Sequence, residues 1–124
     1  LWIKASEARG GVVEDVLWKD CWIHRANTGI NLQLDYDSST VNSASLPPEI
    51  RFITFENIHC SRINRSGVRI KGLANSCIHD ITIRGCSFAT VAANEHGFWI
   101  NCVYKCCFEN VKLTAGTMQD YNNT

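Results

Sequence analysis

The sequence predicts an all-β chain, a parallel β-helix of about four stacked coils, and three observations predict it. The pattern VVEDVLWKDCWI at Val12–Ile23 recurs three more times, so that Val16 falls over Ile53, Ile81 and Cys106. In the same register Trp18 falls over Phe55, Ile83 and Phe108, and Ile23 over Cys60, Phe88 and Leu113. Second, a shorter pattern (Gly, apolar, any, apolar) lies between the copies at Gly29–Leu32, Gly67–Ile70 and Gly97–Ile100, with Leu1-Trp2-Ile3 as a copy lacking its glycine. Its spacings are 29, 38 and 30 residues. Third, the apolar positions alternate with polar ones, the period of a strand with one buried face. Coils stacked at about 4.8 Å would bury what no single coil can. A leucine-rich solenoid is the weaker reading, since leucine is scarce in the columns and no helical segment follows the strands.

Each element has its reason. Leu1–Lys4 reads as a strand, and Ala5–Gly11 as a turn closing on Arg9-Gly10-Gly11. The long copy at Val12–Ile23 carries Asp20, which aligns with Asn57, Gly85 and Asn110. Short polar side chains and glycine tolerate a left-handed backbone, so this column marks a tight bend between strands. His24–Thr28 turns the chain into a strand at Gly29–Tyr36. Asp37–Glu49, serine-rich with Pro47-Pro48, is the longest loop and accounts for the 38-residue spacing. Ile50–Ile63 is the second long copy, followed by a turn at Asn64–Gly67. Val68–Leu73 and Ile78–Phe88 make the third coil, Gly97–Cys102 and Val103–Leu113 the fourth. The coils thus fill residues 1–113, and Thr114–Thr124 breaks the pattern as a cap or tail. A chain opening on a leucine inside a strand reads as an internal or C-terminal piece of a longer solenoid, which would join upstream coils or stack on other chains.

Composition bounds the partners. Lys plus Arg and Asp plus Glu number 12 each, so no net charge invites nucleic acid or an anionic membrane. No apolar run is long enough for a spanning helix. Of the seven cysteines, Cys21, Cys60, Cys86, Cys102 and Cys106 hold column positions and read as buried small hydrophobes. Cys77 and Cys107 fall outside the main columns and are the expected bridge partners. The Cys102, Cys106, Cys107 group lacks a second paired set at zinc spacing, so neither a metal nor a cofactor is expected. The sequons at Asn64 and Asn122 fall in expected surface turns and are glycosylation candidates.

Residues between two inward positions point outward. On the short strands those columns are Trp2, Asn31, Arg69, Trp99 and Lys4, Gln33, Lys71, Asn101, a cationic, amide-bearing, aromatic face without a carboxylate. Indoles and amides suit sugar rings, and the cations suit acidic sugars; a solvated face covered by loops is the competing reading. Trp22 points out in a different column with His59, Ser87 and Lys112 and receives no role; His24, His59 and His79 read as surface residues, and His96 precedes Gly97 in a turn with nothing to single it out.

Leu1-Trp2-Ile3-Lys4 followed by Arg9-Gly10-Gly11-Val12-Val13-Glu14-Asp15-Val16 resembles the "RIK … GRGGVVxNI" segment of polygalacturonase-type enzymes, glycoside hydrolase family 28. Gly29–Asp37 is similar to that family's "YGVxIQQDY" strand, and Ile50–Ile58 to its "IxxITFxNI" coil. The resemblance implies a right-handed β-helix, secretion, and inverting hydrolysis of galacturonan-like polymers. Lys4 matches the family's substrate-carboxylate lysine. Trp2 stands in place of an arginine and Thr28 in place of a tyrosine, which admits another uronide or a neutral sugar. The family's aspartate motifs "NTD" and "DD" and its "GHG" do not occur. The expected function is therefore the C-terminal segment of a secreted pectin-degrading hydrolase, with no catalytic residue of its own and a polysaccharide as partner. The alternative is a non-catalytic carbohydrate-binding or fibre-forming module. Asp35 and Asp37, the only close carboxylate pair on a strand, read as surface residues.

Overall fold

The computed structural model describes residues 1–37, 46–90 and 97–115. Among them there is no helix. Nine strands form one sheet: β1 (Trp2–Lys4), β2 (Val12–Ile23), β3 (Ala26–Gln33), β4 (Glu49–Lys71), β5 (Ile78–Arg84), β6 (Ser87–Thr90), β7 (Phe98–Asn101), β8 (Val103–Glu109) and β9 (Lys112–Ala115). All the pairings between these strands are parallel, and the one antiparallel contact among the described residues is an isolated bridge between Leu73 and Ser76.

The register matches the sequence columns. Val16 pairs with Ile53, Ile53 with Ile81, and Ile81 with Cys106. Trp18, Phe55, Ile83 and Phe108 follow the same order. Parallel pairing puts identical side-chain directions above one another, so one alternation of apolar residues builds a continuous interior. Ile30, Leu32, Ile53, Phe55, Ile58, Ile70, Ile81 and Ile83 are fully buried there. Trp18 sets its edge against Phe55 at 5.3 Å between ring centres, an aromatic geometry favoured by ring quadrupoles.

The bends recur in columns too. Asp20, Asn57, Gly85 and Asn110 all have left-handed backbones, with φ of 56°, 55°, 60° and 51°. A second left-handed column, absent from the sequence reading, runs through Asp15, Phe52, Asp80 and Lys105 at 57°, 52°, 54° and 51°. Register fixes their alignment, since Glu14 and Val16 pair with Arg51 and Ile53, which pair in turn with His79 and Ile81. Each such residue interrupts the pleat and redirects the strand after it.

Several expectations need correcting. Strand β3 begins at Ala26, inside the expected turn at His24–Thr28. The expected turn at Asn64–Gly67 is instead a stretch of β4 that pairs with β3 through a register shift. Asn64 accordingly sits half-buried in a strand, its side-chain nitrogen donating to Asn27 Oδ1 at 3.1 Å, rather than in a surface turn. Cys77 and Cys107 do not pair, and all seven thiols are free. Cys107 points outward beside Thr82, its in-register neighbour, whereas Cys77 directly follows the tight turn bridged by Leu73 and Ser76, its thiol facing the Leu73 carbonyl. Cys102 has a left-handed backbone, φ 53°, so it occupies a bend and not an inward strand position. Strand β9 carries the pairing through Ala115, two residues past the expected limit at Leu113. Most of the Asp37–Glu49 loop, His96, Asn122 and the end of the tail lie outside the described residues.

Candidate functional site

The face singled out by sequence is assembled by β1, β3, β4 and β7. Trp2 pairs with Asn31, Asn31 with Arg69 and Arg69 with Trp99. Lys4, Gln33, Lys71 and Asn101 form the second column in the same way. Three inter-strand steps separate the indoles of Trp2 and Trp99, about 14 Å at the usual strand spacing. That separation matches an extended oligomeric ligand better than one small ring.

The side chains interlock. The Arg69 guanidinium lies 4.8 Å from the Trp99 ring centre and donates to Asn31 Oδ1 at 3.3 Å. Lys4 sits 4.5 Å from the Trp2 ring and 3.7 Å from Tyr36. Tyr36 in turn meets Trp2 edge-on at 5.8 Å. Cation–π contacts of this kind hold both partners in one orientation. Trp2 remains 51% exposed, so an indole face stays open to a ligand.

One expectation fails here. The face does contain a carboxylate, because Asp35 curls back from the end of β3 to pair with Lys71. Burial pushes the Asp35 carboxyl up, but the Lys71 ammonium and the Gln33 amide outweigh it and hold the group below the ordinary carboxylate range. Asp35 and Tyr36 are the residues that sequence reasoning left out of the face. Both follow Gln33 by a few positions, and chain adjacency was the available signal.

A second concavity, about 730 Å³, opens on another face along β2, β4, β5 and β8. Asp15, Glu56 and Asp80 line it. Asp15 and Asp80 lie two steps apart in one column, about 9.6 Å at strand spacing. These carboxylates all have cationic or imidazole neighbours, however. Glu56 bridges Lys19 at 3.1 Å and Arg84 at 3.0 Å, Asp80 meets His79 Nδ1 at 2.6 Å, and Asp15 lies in the field of Arg51. Charges paired this way describe a surface ion ladder, not an acid and a base poised across a bond.

The third outward column is Trp22, His59, Ser87 and Lys112. His59 bridges Ser87 Oγ at 2.7 Å and Asn57 Oδ1 at 2.6 Å, and is more than the surface residue the sequence suggested. His79 likewise stacks flat on Tyr104 at 4.6 Å. No group of His, Cys, Asp or Glu among the described residues is arranged to hold a metal ion. No family model, curated protein or solved structure matches the chain.

Proposed function

We propose that the chain forms a right-handed parallel β-helix of about four coils, and that its Trp2–Trp99 face binds an extended saccharide as part of a secreted, polygalacturonase-like pectin hydrolase. The catalytic carboxylates of that hydrolase come from coils outside this sequence, and the chain alone is catalytically incomplete. The observation that carries this reading is the register of the two outward columns. It aligns two indoles, three amides and three cations in two columns that run across β1, β3, β4 and β7. Indole faces cover the apolar faces of sugar rings while amides meet the hydroxyl edges.

One observation favours a second reading, a non-catalytic module for a neutral saccharide. Lys71 is paired with Asp35, Arg69 is held between Asn31 and Trp99, and Lys4 lies over two aromatic rings. A uronate would have to compete with these internal partners.

Tryptophan fluorescence titrations with oligogalacturonate and with a neutral galactan oligomer separate the readings. The first predicts a response to the acidic oligomer that is lost in Trp99→Ala and reduced in Lys4→Met. The second predicts the same loss in Trp99→Ala with the neutral oligomer and indifference to Lys4→Met. No response to either at millimolar concentration rejects the face as a sugar site, and release of reducing ends by this chain alone rejects its catalytic incompleteness.

A further inference from the structure

We propose that Ser87 is an activated nucleophile for acyl transfer, with His59 as its general base and Asn57, anchored by Asp20, as the residue that orients the imidazole. The inference is independent of the saccharide face, which uses β1, β3, β7 and the far end of β4 at Arg69 and Lys71.

The hydrogen-bond directions follow from elementary donor and acceptor chemistry. An ionised Asp20 can only accept, so the group 2.7 Å from its Oδ1 must be the Asn57 amide nitrogen. That places Asn57 Oδ1, an acceptor, 2.6 Å from His59 Nε2. Nε2 must therefore carry the proton, and in the neutral imidazole Nδ1 is left as the bare lone pair. Nδ1 lies 2.7 Å from Ser87 Oγ, so the hydroxyl donates to it. One carboxylate thus fixes proton positions along four side chains and delivers the arrangement in which a base can take a serine proton.

The backbone explains why the arrangement holds. Asp20 and Asn57 occupy stacked bends with left-handed φ of 56° and 55°, so their side chains stand in fixed register one step apart. His59 follows the Asn57 bend by two residues along β4, and the redirected strand brings its ring back against the Asn57 side chain. Ser87 is its in-register neighbour on β6. The Trp22 ring lies 5.2 Å from the imidazole and confines it from the other side.

A cavity of about 310 Å³ opens over this group, lined by Trp22, His59, Ser87 and Lys112 among others. Its volume suits a small acyl ester. Trp22, 69% exposed, offers a flat apolar wall for the alcohol portion. Lys112 pairs with Ser87 in the ladder and is the cation at hand for the oxyanion.

In the first half-reaction Ser87 Oγ bonds to the ester carbonyl carbon while its proton passes to His59 Nδ1. The tetrahedral intermediate then expels the alcohol oxygen, which takes that proton and leaves an acyl-serine. Water attacks the acyl carbon, giving its proton to Nδ1, and collapse returns the proton to Ser87 Oγ with release of the carboxylic acid.

The test uses the full chain, a fluorophosphonate probe with peptide mass spectrometry, and hydrolysis of p-nitrophenyl acetate. The expected result is an adduct on Ser87 that is lost in His59→Gln. Hydrolysis should fall at least about 100-fold in Ser87→Ala and His59→Gln, the usual size of a general-base contribution, and less in Asn57→Ala. Cys107→Ser, which removes an exposed competing thiol, should leave the rate unchanged. Circular dichroism identifies any variant that has not folded, in which case adduct formation on the unaltered chain decides. Absence of an adduct on Ser87, or equal labelling of folded His59→Gln, overturns the proposal.

Discussion

Replacing Ile53 by alanine tests whether the stacked columns stabilise this chain. Ile53 is fully buried and lies between Val16 and Ile81 in its column. The substitution removes three buried carbons, about 2.4 kcal/mol at roughly 0.8 kcal/mol each. Neighbours on both sides are held by their own ladders and cannot close the gap, so the cavity raises the cost to about 3–4 kcal/mol. For 124 residues a loss of 3 kcal/mol lowers Tm by about 12 °C. Val16→Ala in the same column removes two carbons from a half-buried position and should cost about 1 kcal/mol. Urea titrations followed by tryptophan fluorescence measure both, with Cm falling and the slope unchanged. Equal costs for the two variants, or less than about 1 kcal/mol for Ile53→Ala, would show that burial depth along the column does not set stability.

Three further outcomes follow from the structure. Gly72→Ala would bring a Cβ within 2.3 Å of the Cys102 carbonyl oxygen and 2.9 Å of the Ile78 nitrogen. Neither backbone atom can step aside, so thermal unfolding should show a loss of more than about 3 kcal/mol. Burial pushes Cys60 and Cys106 up to about 11 and raises Cys86, because a thiolate is poorly solvated there. At pH 8 a thiol-specific disulfide reagent should modify exposed Cys107 far faster than these three, as mass spectrometry would show. The unfolded thiols ionise first, from about 9, so this contribution to stability is complete below that pH and is lost as pH rises toward 11. Lys71→Met strands the Asp35 carboxylate and should cost about 1 kcal/mol at neutral pH. The depressed Asp35 carboxyl stabilises the fold above its unfolded value of 3.8. In the unaltered chain that benefit fades as pH falls below that value, and the penalty in Lys71→Met should shrink there too. Urea titrations at pH 7 and pH 3 check both signs.

What could be read from sequence was whatever a single residue type announces. Alternation at Val16, Trp18 and their counterparts announced strands, and near-equal spacing announced which strands meet. The Asp20 bend was legible because aspartate, asparagine and glycine are the residues that accept a left-handed backbone. The matching bend at Asp15 was not, since Phe52 and Lys105 carry no such signal and take the conformation under constraint from strands on either side. The outward columns were legible as a list but not as a chemistry. Whether Arg69 reaches solvent or settles over Trp99 depends on where Asn31 and Asp35 lie, and that is tertiary information. The role of His59 was hidden for the same reason, since two of its three neighbours come from chain segments 28 and 37 residues away.

The all-parallel pairing has a kinetic consequence. Partners are separated by 25 residues at the nearest, Ile81 with Cys106, and by 38 at the farthest, Asn31 with Arg69. Among the described strands no hairpin can form early and serve as a seed, so every rung requires closing a long stretch of chain before any contact rewards it. Refolding should be slow for a chain of this size, and the first two rungs to meet should set the rate. Once they have met, each later segment finds a ready edge to dock on, which makes growth from that seed fast by comparison.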